Sequence, residues 1–380
     1  MKIGILTQPL HANYGGLLQN YALQQILLLL GHNPETIDWG APSNFRTHLS
    51  YLKFRFTSLF SHRSTGNTYK ITKKEKQIIQ CNTDYFISKY IRHTKVLSSH
   101  SSFKRQSVLG SYDAYIVGSD QCWRPSYNCF LYEMFLSFVA NKQVKRIAYA
   151  ASFGSDKWEF TKNQTEACSR LAKKFDIITV REDSGVDLCK RNLGVDAMHV
   201  LDPTMLLSKD IYSKLVVEEN ESKSDGTLFY YVLDPNQEKN TFIQMVAKEL
   251  NLVSFTVLPK FQAETRTKSD VKNRISDCVF PSVTSWLRAF MDAELTIVDS
   301  FHGMVFSIIF NKPFWVIGNP KRGMSRFLSL LKLLNLEDRL IDIDNCSHID
   351  LKQKIDWNRT NQLIDFYKKQ SIELLKNSLS

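Results

Sequence analysis

The stretch Thr296-Ile297-Val298-Asp299-Ser300-Phe301-His302-Gly303-Met304-Val305-Phe306-Ser307-Ile308-Ile309-Phe310 leaves few folds open to the chain that contains it. A short apolar run meets small and polar residues around one histidine, and a second apolar run follows at once. That pattern predicts a buried strand handing over directly to a helix. Ser300 or Asp299 then takes the N-cap, and His302 lies in the first helical turn. Unpaired backbone N–H groups and the positive end of the helix dipole gather at such a point, so it suits an anion. Strands buried on both faces belong to parallel α/β sheets, whose carboxyl edge is where ligands bind.

A chain of 380 residues is long for one core, and its length favours two domains. Its 43% hydrophobic and 23% charged residues are those of a soluble globular protein. The apolar start at residues 1–7 is too short for a signal peptide and reads as a first strand. Apolar runs fall short of the ~18 residues a spanning helix needs. The seven cysteines are scattered and form no CxxC pair, which points to reduced thiols in a cytoplasmic protein. Neither a metal site nor a disulfide framework is expected. The net charge of +11 calls for an anionic partner: nucleic acid, an acidic membrane face or a phosphorylated substrate.

Residues 2–7 predict a strand, 11–16 a loop, and 17–30 an apolar helix closed by Gly31. This is the entry of a Rossmann-like domain, although Asn13-Tyr14-Gly15-Gly16 is no GxGxxG fingerprint and Walker A spacing is absent. Asn13, Tyr14 and Gly15 either contact substrate or merely bring helix and sheet together. Across residues 43–111 the pattern loosens. Residues 51–60 alternate aromatic and basic side chains and residues 70–76 add lysines, which suits an anionic membrane surface or an excursion packed on its own domain. No RRM, KH or helix-turn-helix pattern supports a nucleic-acid partner.

Residues 112–125 form a second informative segment, a buried strand presenting Asp120, Gln121, Trp123 and Arg124 at its carboxyl end. They reach a ligand there, or else Asp120 caps a turn and Trp123 fills a gap. Further strands are predicted at 146–154, 176–180 and 198–204. Arg181 ends one of them as an anion ligand or as the ion-pair partner of Glu182 or Asp183. Pro203 and a polar stretch at 218–226 place a domain boundary within 205–226, so the first domain spans about 1–210.

Strand and helix then alternate again: strands at 228–233 and 253–258, helices at 240–250 and 283–292, and the opening stretch. A strand at 312–319 runs into Lys321-Arg322-Gly323-Met324-Ser325-Arg326, just before a helix at 327–334. Two adjacent helix starts with Lys321, Arg322, Ser325 and Arg326 beside His302 make an anion-binding constellation. The second domain spans about 226–355, and a last helix at 356–380 is expected to pack back on the first.

With these segments in hand, the chain resembles the polysaccharide pyruvyl transferase family. The resemblance rests on Asn13-Tyr14-Gly15-Gly16-Leu17-Leu18-Gln19-Asn20-Tyr21-Ala22-Leu23-Gln24, Gly118-Ser119-Asp120-Gln121, Arg181-Glu182-Asp183-Ser184, Asp299-Ser300-Phe301-His302-Gly303 and Arg322-Gly323-Met324-Ser325-Arg326, in that order. It implies a GT-B-like α/β fold, two Rossmann-like domains facing across a cleft. It also implies phosphoenolpyruvate as donor and co-substrate, with no further cofactor. The acceptor is a sugar of a surface polysaccharide, such as exopolysaccharide or capsule, or its lipid-linked oligosaccharide precursor at the inner membrane face. The product is a cyclic pyruvate ketal.

In the family an arginine and a leucine precede the histidine that His302 matches. Here Ser300 and Phe301 stand there, so Arg322, Arg326 or Arg181 must supply the cation. His302 is then the general acid or base. Ser300, Phe301, Gly303, Lys321, Arg322, Ser325, Arg326 and Arg181 serve the donor, while Asn13, Tyr14, Gly15, Asp120, Gln121 and Trp123 serve the acceptor, the indole stacking on a sugar face. Two other readings share the sequence: a GT-B-type glycosyltransferase using a nucleotide sugar, and a non-catalytic protein that binds anionic glycans.

Overall fold

The computed structural model describes residues 1–40, 71–140, 143–261, 268–319, 323–343 and 349–380. The aromatic and basic run at 51–60, together with Lys321 and Arg322, lies outside the described residues. The chain divides into two compact units, one of residues 1–66, 87–206 and 367–380, the other of residues 67–86 and 207–366. Residues 67–86, which the sequence pattern assigns to an excursion of the first domain, therefore count with the second unit.

The first unit is built on six parallel strands: β1 (Lys2–Leu6), β2 (Asn33–Thr36), β3 (Ala114–Val117), β4 (Lys145–Ala151), β5 (Ile177–Val180) and β6 (Met198–His199), in the order β2-β1-β3-β4-β5-β6. Strands β1 and β3 are apolar and buried almost throughout, as strands covered on both faces must be. The edge strand β2 reads Asn-Pro-Glu-Thr and is invisible to a search for apolar runs; an edge is also where Pro34 does least harm to a ladder. Helix Tyr14–Leu29 begins three residues before its apolar run, because the Asn13 side chain accepts from the Gly16 N–H at 3.2 Å and caps it. Beyond its end Gly31 takes φ +83°, the left-handed conformation that closes helices.

Helices Lys73–Ile79, Cys81–Tyr90 and His100–Gly110 occupy the stretch whose pattern looked loose. Two of them are set by capping boxes, at Thr72 and Ser99, rather than by an apolar stripe. The last helix, Trp357–Leu379, returns its second half to the first unit, where Ser371 Oγ accepts the Leu201 N–H at 3.1 Å.

The second unit has five parallel strands: β7 (Leu228–Tyr231), β8 (Ser254–Phe255), β9 (Leu295–Val298), β10 (Phe314–Ile317) and β11 (Leu340–Ile341), in the order β11-β10-β9-β7-β8. Its core sets Phe242, Ile243 and Val246 of helix Gln237–Leu250 against Leu228, Leu295, Ile297 and Trp315 of the sheet.

The strand order places one feature in each unit. From β1 the chain steps one way to β2 and thereafter the other way to β3 and beyond; from β7 it steps one way to β8 and then the other way to β9. At such a reversal the connecting segments diverge and leave a crevice at the carboxyl ends of the two strands, the ligand position of open α/β sheets. The crevices fall at β1/β3 and at β7/β9, the ends of two segments that stand out in the sequence.

Candidate active site

Strand β9 ends at Val298 between β7 and β10, and each residue after it has a distinct partner. Asp299 is fully buried; its carboxylate accepts the N–H groups of Leu233 and Asp234 at 2.7 and 3.1 Å and the Lys239 ammonium at 2.7 Å. Lys239 also donates to the Asp234 carbonyl at 2.9 Å, so one buried pair holds the loop after β7 against the end of β9. That frees Ser300 for the cap, and its Oγ accepts the Gly303 N–H at 3.0 Å. A Cβ at Gly303 would lie 2.7 Å from that oxygen and 3.0 Å from Val298 Cβ, so the close approach of helix and strand requires glycine here.

His302 therefore sits in the first turn of helix Phe301–Ile309 at the β7/β9 crevice, 8% exposed and edge-on to Phe301 with ring centroids 5.4 Å apart. The next helix, Ser325–Leu334, carries no side-chain cap, and Gly323 at φ +92° turns the chain into it. Its first turn holds Arg326, whose guanidinium lies 5.7 Å from the Phe301 centroid and 6.0 Å from that of Phe327. Phe301 thus neighbours both His302 and Arg326. Asn319, after β10, donates to the carboxylate of Asp234, after β7, and that bond crosses the end of β9. A titratable imidazole, a buried guanidinium and two helix starts share one sheet edge, which equips it to hold an oxyanion and move a proton.

The first unit's crevice has a different chemistry. Arg181, 2% exposed, donates to Asp202 at 2.9 Å and to Asp120 at 3.2 Å. Burial lowers its pKa, but Asp120, Asp202 and Glu182 together outweigh that and hold it above the ordinary arginine value. It therefore pairs with Asp120 and Asp202, in addition to the electrostatic pull of the neighbouring Glu182 that the sequence pattern suggests. Glu182 takes the Ser152 hydroxyl and the N–H groups of Phe153 and Gly154. Ser119 Oγ donates to Asp202 at 2.9 Å, and the Thr7 hydroxyl donates to the Ser119 carbonyl at 2.8 Å, tying β1 to β3. Asp120 stands at φ +73°, a strained conformation for a non-glycine residue, and accepts the Gln121 N–H at 2.8 Å. Gln121 also receives Arg124 on its side-chain oxygen and Gln8 on its carbonyl.

Set against the expected site, Ser300, Phe301, His302, Gly303, Ser325 and Arg326 come together in the second unit, while Asn13, Asp120 and Gln121 border the crevice of the first. Three expectations need correction. Trp123 is fully buried, stacked on Phe135 at 4.6 Å with its indole N–H on the Met134 carbonyl, so it has no face to offer a sugar. Tyr14 and Gly15 are buried in their helix, and only the capping Asn13 is partly exposed. Arg181 belongs to the first unit and is committed to two carboxylates, which leaves Arg326 as the described arginine near His302. Sequence reasoning missed Lys239, Asp234, Asn319 and Asp202; Asp202 alone had a signal, an Asp-Pro pair directly after a strand.

Two parallel α/β units in one chain, each with polar residues at its strand-order reversal, define a protein with two Rossmann-like units. The profile of the polysaccharide pyruvyl transferase family matches residues 13–321, and the chain belongs to that family. No curated protein matches the chain. Among solved structures it is similar to UDP-GlcNAc 2-epimerase from Neisseria meningitidis bound to UDP-GlcNAc, at 11% identity and TM-score 0.47, covering 100% of this chain and 99% of that one. It is also similar to the S. aureus MnaA–UDP complex, at 12% identity and TM-score 0.49 over 98% and 91% of the two chains. A ugt transferase from Siraitia grosvenorii in complex with UDP matches at 9% identity and TM-score 0.44, over 100% and 94%.

Proposed function

We propose that this protein transfers the pyruvyl group of phosphoenolpyruvate to a sugar of a surface polysaccharide or its lipid-linked precursor, closing a cyclic ketal and releasing phosphate. The observation that carries this reading is the placement of His302 and Arg326 against the same Phe301 ring, at two adjacent helix starts. Phosphoenolpyruvate carries a phosphate and a carboxylate, and this edge supplies helix amides and a guanidinium for them. Arg326 thereby stands in for the arginine that relatives carry where this chain has Ser300.

The reaction adds a proton to the terminal enol carbon while a sugar hydroxyl bonds to the carbon bearing the phosphate. A second hydroxyl of the same sugar then displaces phosphate from that carbon and closes the ring. Each hydroxyl loses its proton: one is gained at the terminal enol carbon, and the other departs with the leaving group, which is released as hydrogen phosphate. His302 is the group that moves protons in this scheme, because imidazole exchanges them near neutral pH.

The first test is thermal unfolding with candidate donors, since a ligand bound only by the native state raises the midpoint. Phosphoenolpyruvate is expected to raise it and nucleotide sugars to leave it unchanged; the reverse pattern would replace this reading with a glycosyltransferase. Turnover is then followed by phosphorus NMR, with inorganic phosphate appearing only when donor and an oligosaccharide acceptor are both present.

A further inference from the structure

Of the formal charge of +11, residues 43–80 carry +7, eight lysines and arginines against Glu75, within a tenth of the chain. Three of those lysines, Lys73, Lys74 and Lys76, lie in the described residues. Helix Lys73–Ile79 passes into helix Cys81–Tyr90 with little interruption, since the Gln80 N–H donates to the Lys76 carbonyl at 3.0 Å and the Asp84 N–H to the Gln80 carbonyl at 2.8 Å. One side of this pair is fixed to the second unit. Ile79, 2% exposed, packs with Val271 and Cys278; the Phe280 N–H donates to the Ile79 carbonyl at 2.9 Å, and Asn82 Nδ2 donates to the Phe280 carbonyl at 2.8 Å.

The other side therefore stays outward. It presents Lys74, one turn from Ile78, with Lys73 and Lys76 exposed at its margins and Asp84 the one exposed carboxylate among residues 73–85. Ile78 and Tyr85 are 47% and 50% exposed, and exposed Cys81 lies between them. Steps of three and four residues put Ile78, Cys81 and Tyr85 on one helical face. A single exposed apolar residue means little, but an aliphatic and an aromatic side chain in line beside three lysines match an interfacial helix.

We propose that this face of residues 73–85 docks on an anionic lipid surface, with the lysines over acidic headgroups and Ile78 and Tyr85 at the acyl boundary. A lipid surface fits better than nucleic acid because phosphates account for the lysines but not for a half-exposed aliphatic and aromatic side chain beside them. The dock would bring the enzyme to acceptors that are themselves held in a membrane. It is independent of the donor chemistry, and its test needs no substrate, so its failure and that of the transferase reading are separable.

The experiment is flotation of the full chain with phosphatidylcholine vesicles, with and without phosphatidylglycerol. The chain is expected to float only with phosphatidylglycerol and to be released by salt. The variant K73Q/K74Q/K76Q is expected to partition less strongly by on the order of 10²-fold, given what each basic residue near such a surface contributes. I78S is expected to bind more weakly while keeping its thermal midpoint. A polarity-sensitive fluorophore on Cys81, in a C346S background, is expected to shift to shorter wavelength with the anionic vesicles. Equal flotation with neutral lipid, no effect of the lysine variant, an unshifted label, or retention on duplex DNA without flotation would each overturn the proposal.

Discussion

The Asp299 carboxylate meets the Lys239 ammonium at 2.7 Å, and both are buried beneath the helix start that carries His302. Asp299 also holds two backbone N–H groups from the loop after β7, so it has an acceptor role that a neutral side chain fills poorly. Removing one partner of a buried pair strands the other charge away from water, at about 3–5 kcal/mol. Asp299→Asn should therefore lower the free energy of unfolding by about that amount in urea denaturation. Lys239→Met should lose less, because Asp299 keeps its two N–H donors. A loss of under about 0.5 kcal/mol in D299N, the range of an ordinary surface substitution, would show the pair to be incidental.

The element types of the site were largely legible in the sequence, and the pairings were not. Val298 to Met304 switches from an unbroken apolar run to a capped helical period within three residues, and nothing else in the menu of local structures does that. The reason is local sterics and hydrogen bonding at Ser300 and Gly303. Arg181 shows the opposite case. Its neighbours in sequence are two acids, yet it donates to Asp120 and Asp202, which follow β3 and β6 and lie 61 and 21 residues away. Strand order decides those pairings, and it is set by non-local packing that no window of sequence contains. Trp123 failed for a related reason: whether an indole after a strand is wall or core depends on Phe135 and Phe153, which only the folded chain brings to it.

Arg326 is predicted to serve the donor through affinity. A charge-assisted hydrogen bond contributes about 1.5–3 kcal/mol, so Arg326→Met should reduce kcat/KM for phosphoenolpyruvate by roughly 10–150-fold, mostly through KM. Arg326→Lys should recover part of this, since it restores charge without the planar fork. Unchanged KM in both variants would move the donor away from this helix start.

His302 is predicted to act in the chemical step. Replacing it with alanine should cut kcat on the order of 10²–10⁴-fold, the usual contribution of one positioned acid or base. The phosphoenolpyruvate-dependent thermal shift should survive, because backbone amides and Arg326 still bind the anion. Asparagine at 302 tests the alternative that the imidazole only donates a hydrogen bond: activity close to wild type in that variant removes the proton-transfer role.

His199 provides a pH-dependent stability that is separate from catalysis. It ends β6, and its Nε2 lies 3.0 Å from the Arg181 carbonyl. Burial lowers its pKa below the ordinary 6.5, outweighing the opposite pull of that hydrogen bond and of Asp183 and Glu182. The folded state thus keeps His199 neutral while the unfolded chain takes up a proton, so unfolding binds protons and stability falls as the solution is acidified. The contribution is fully present above pH 6.5 and is lost progressively below it, down to the depressed folded value. Its slope is no steeper than about 1.4 kcal/mol per pH unit, the limit for one proton. Gln at position 199 offers an amide donor in place of the imidazole and does not titrate, so the difference in unfolding free energy between H199Q and the parent should vary with pH only below about 6.5. Urea titrations at a series of pH values from neutral downward measure that difference, and a constant offset between the two proteins would mean that His199 carries no linked proton.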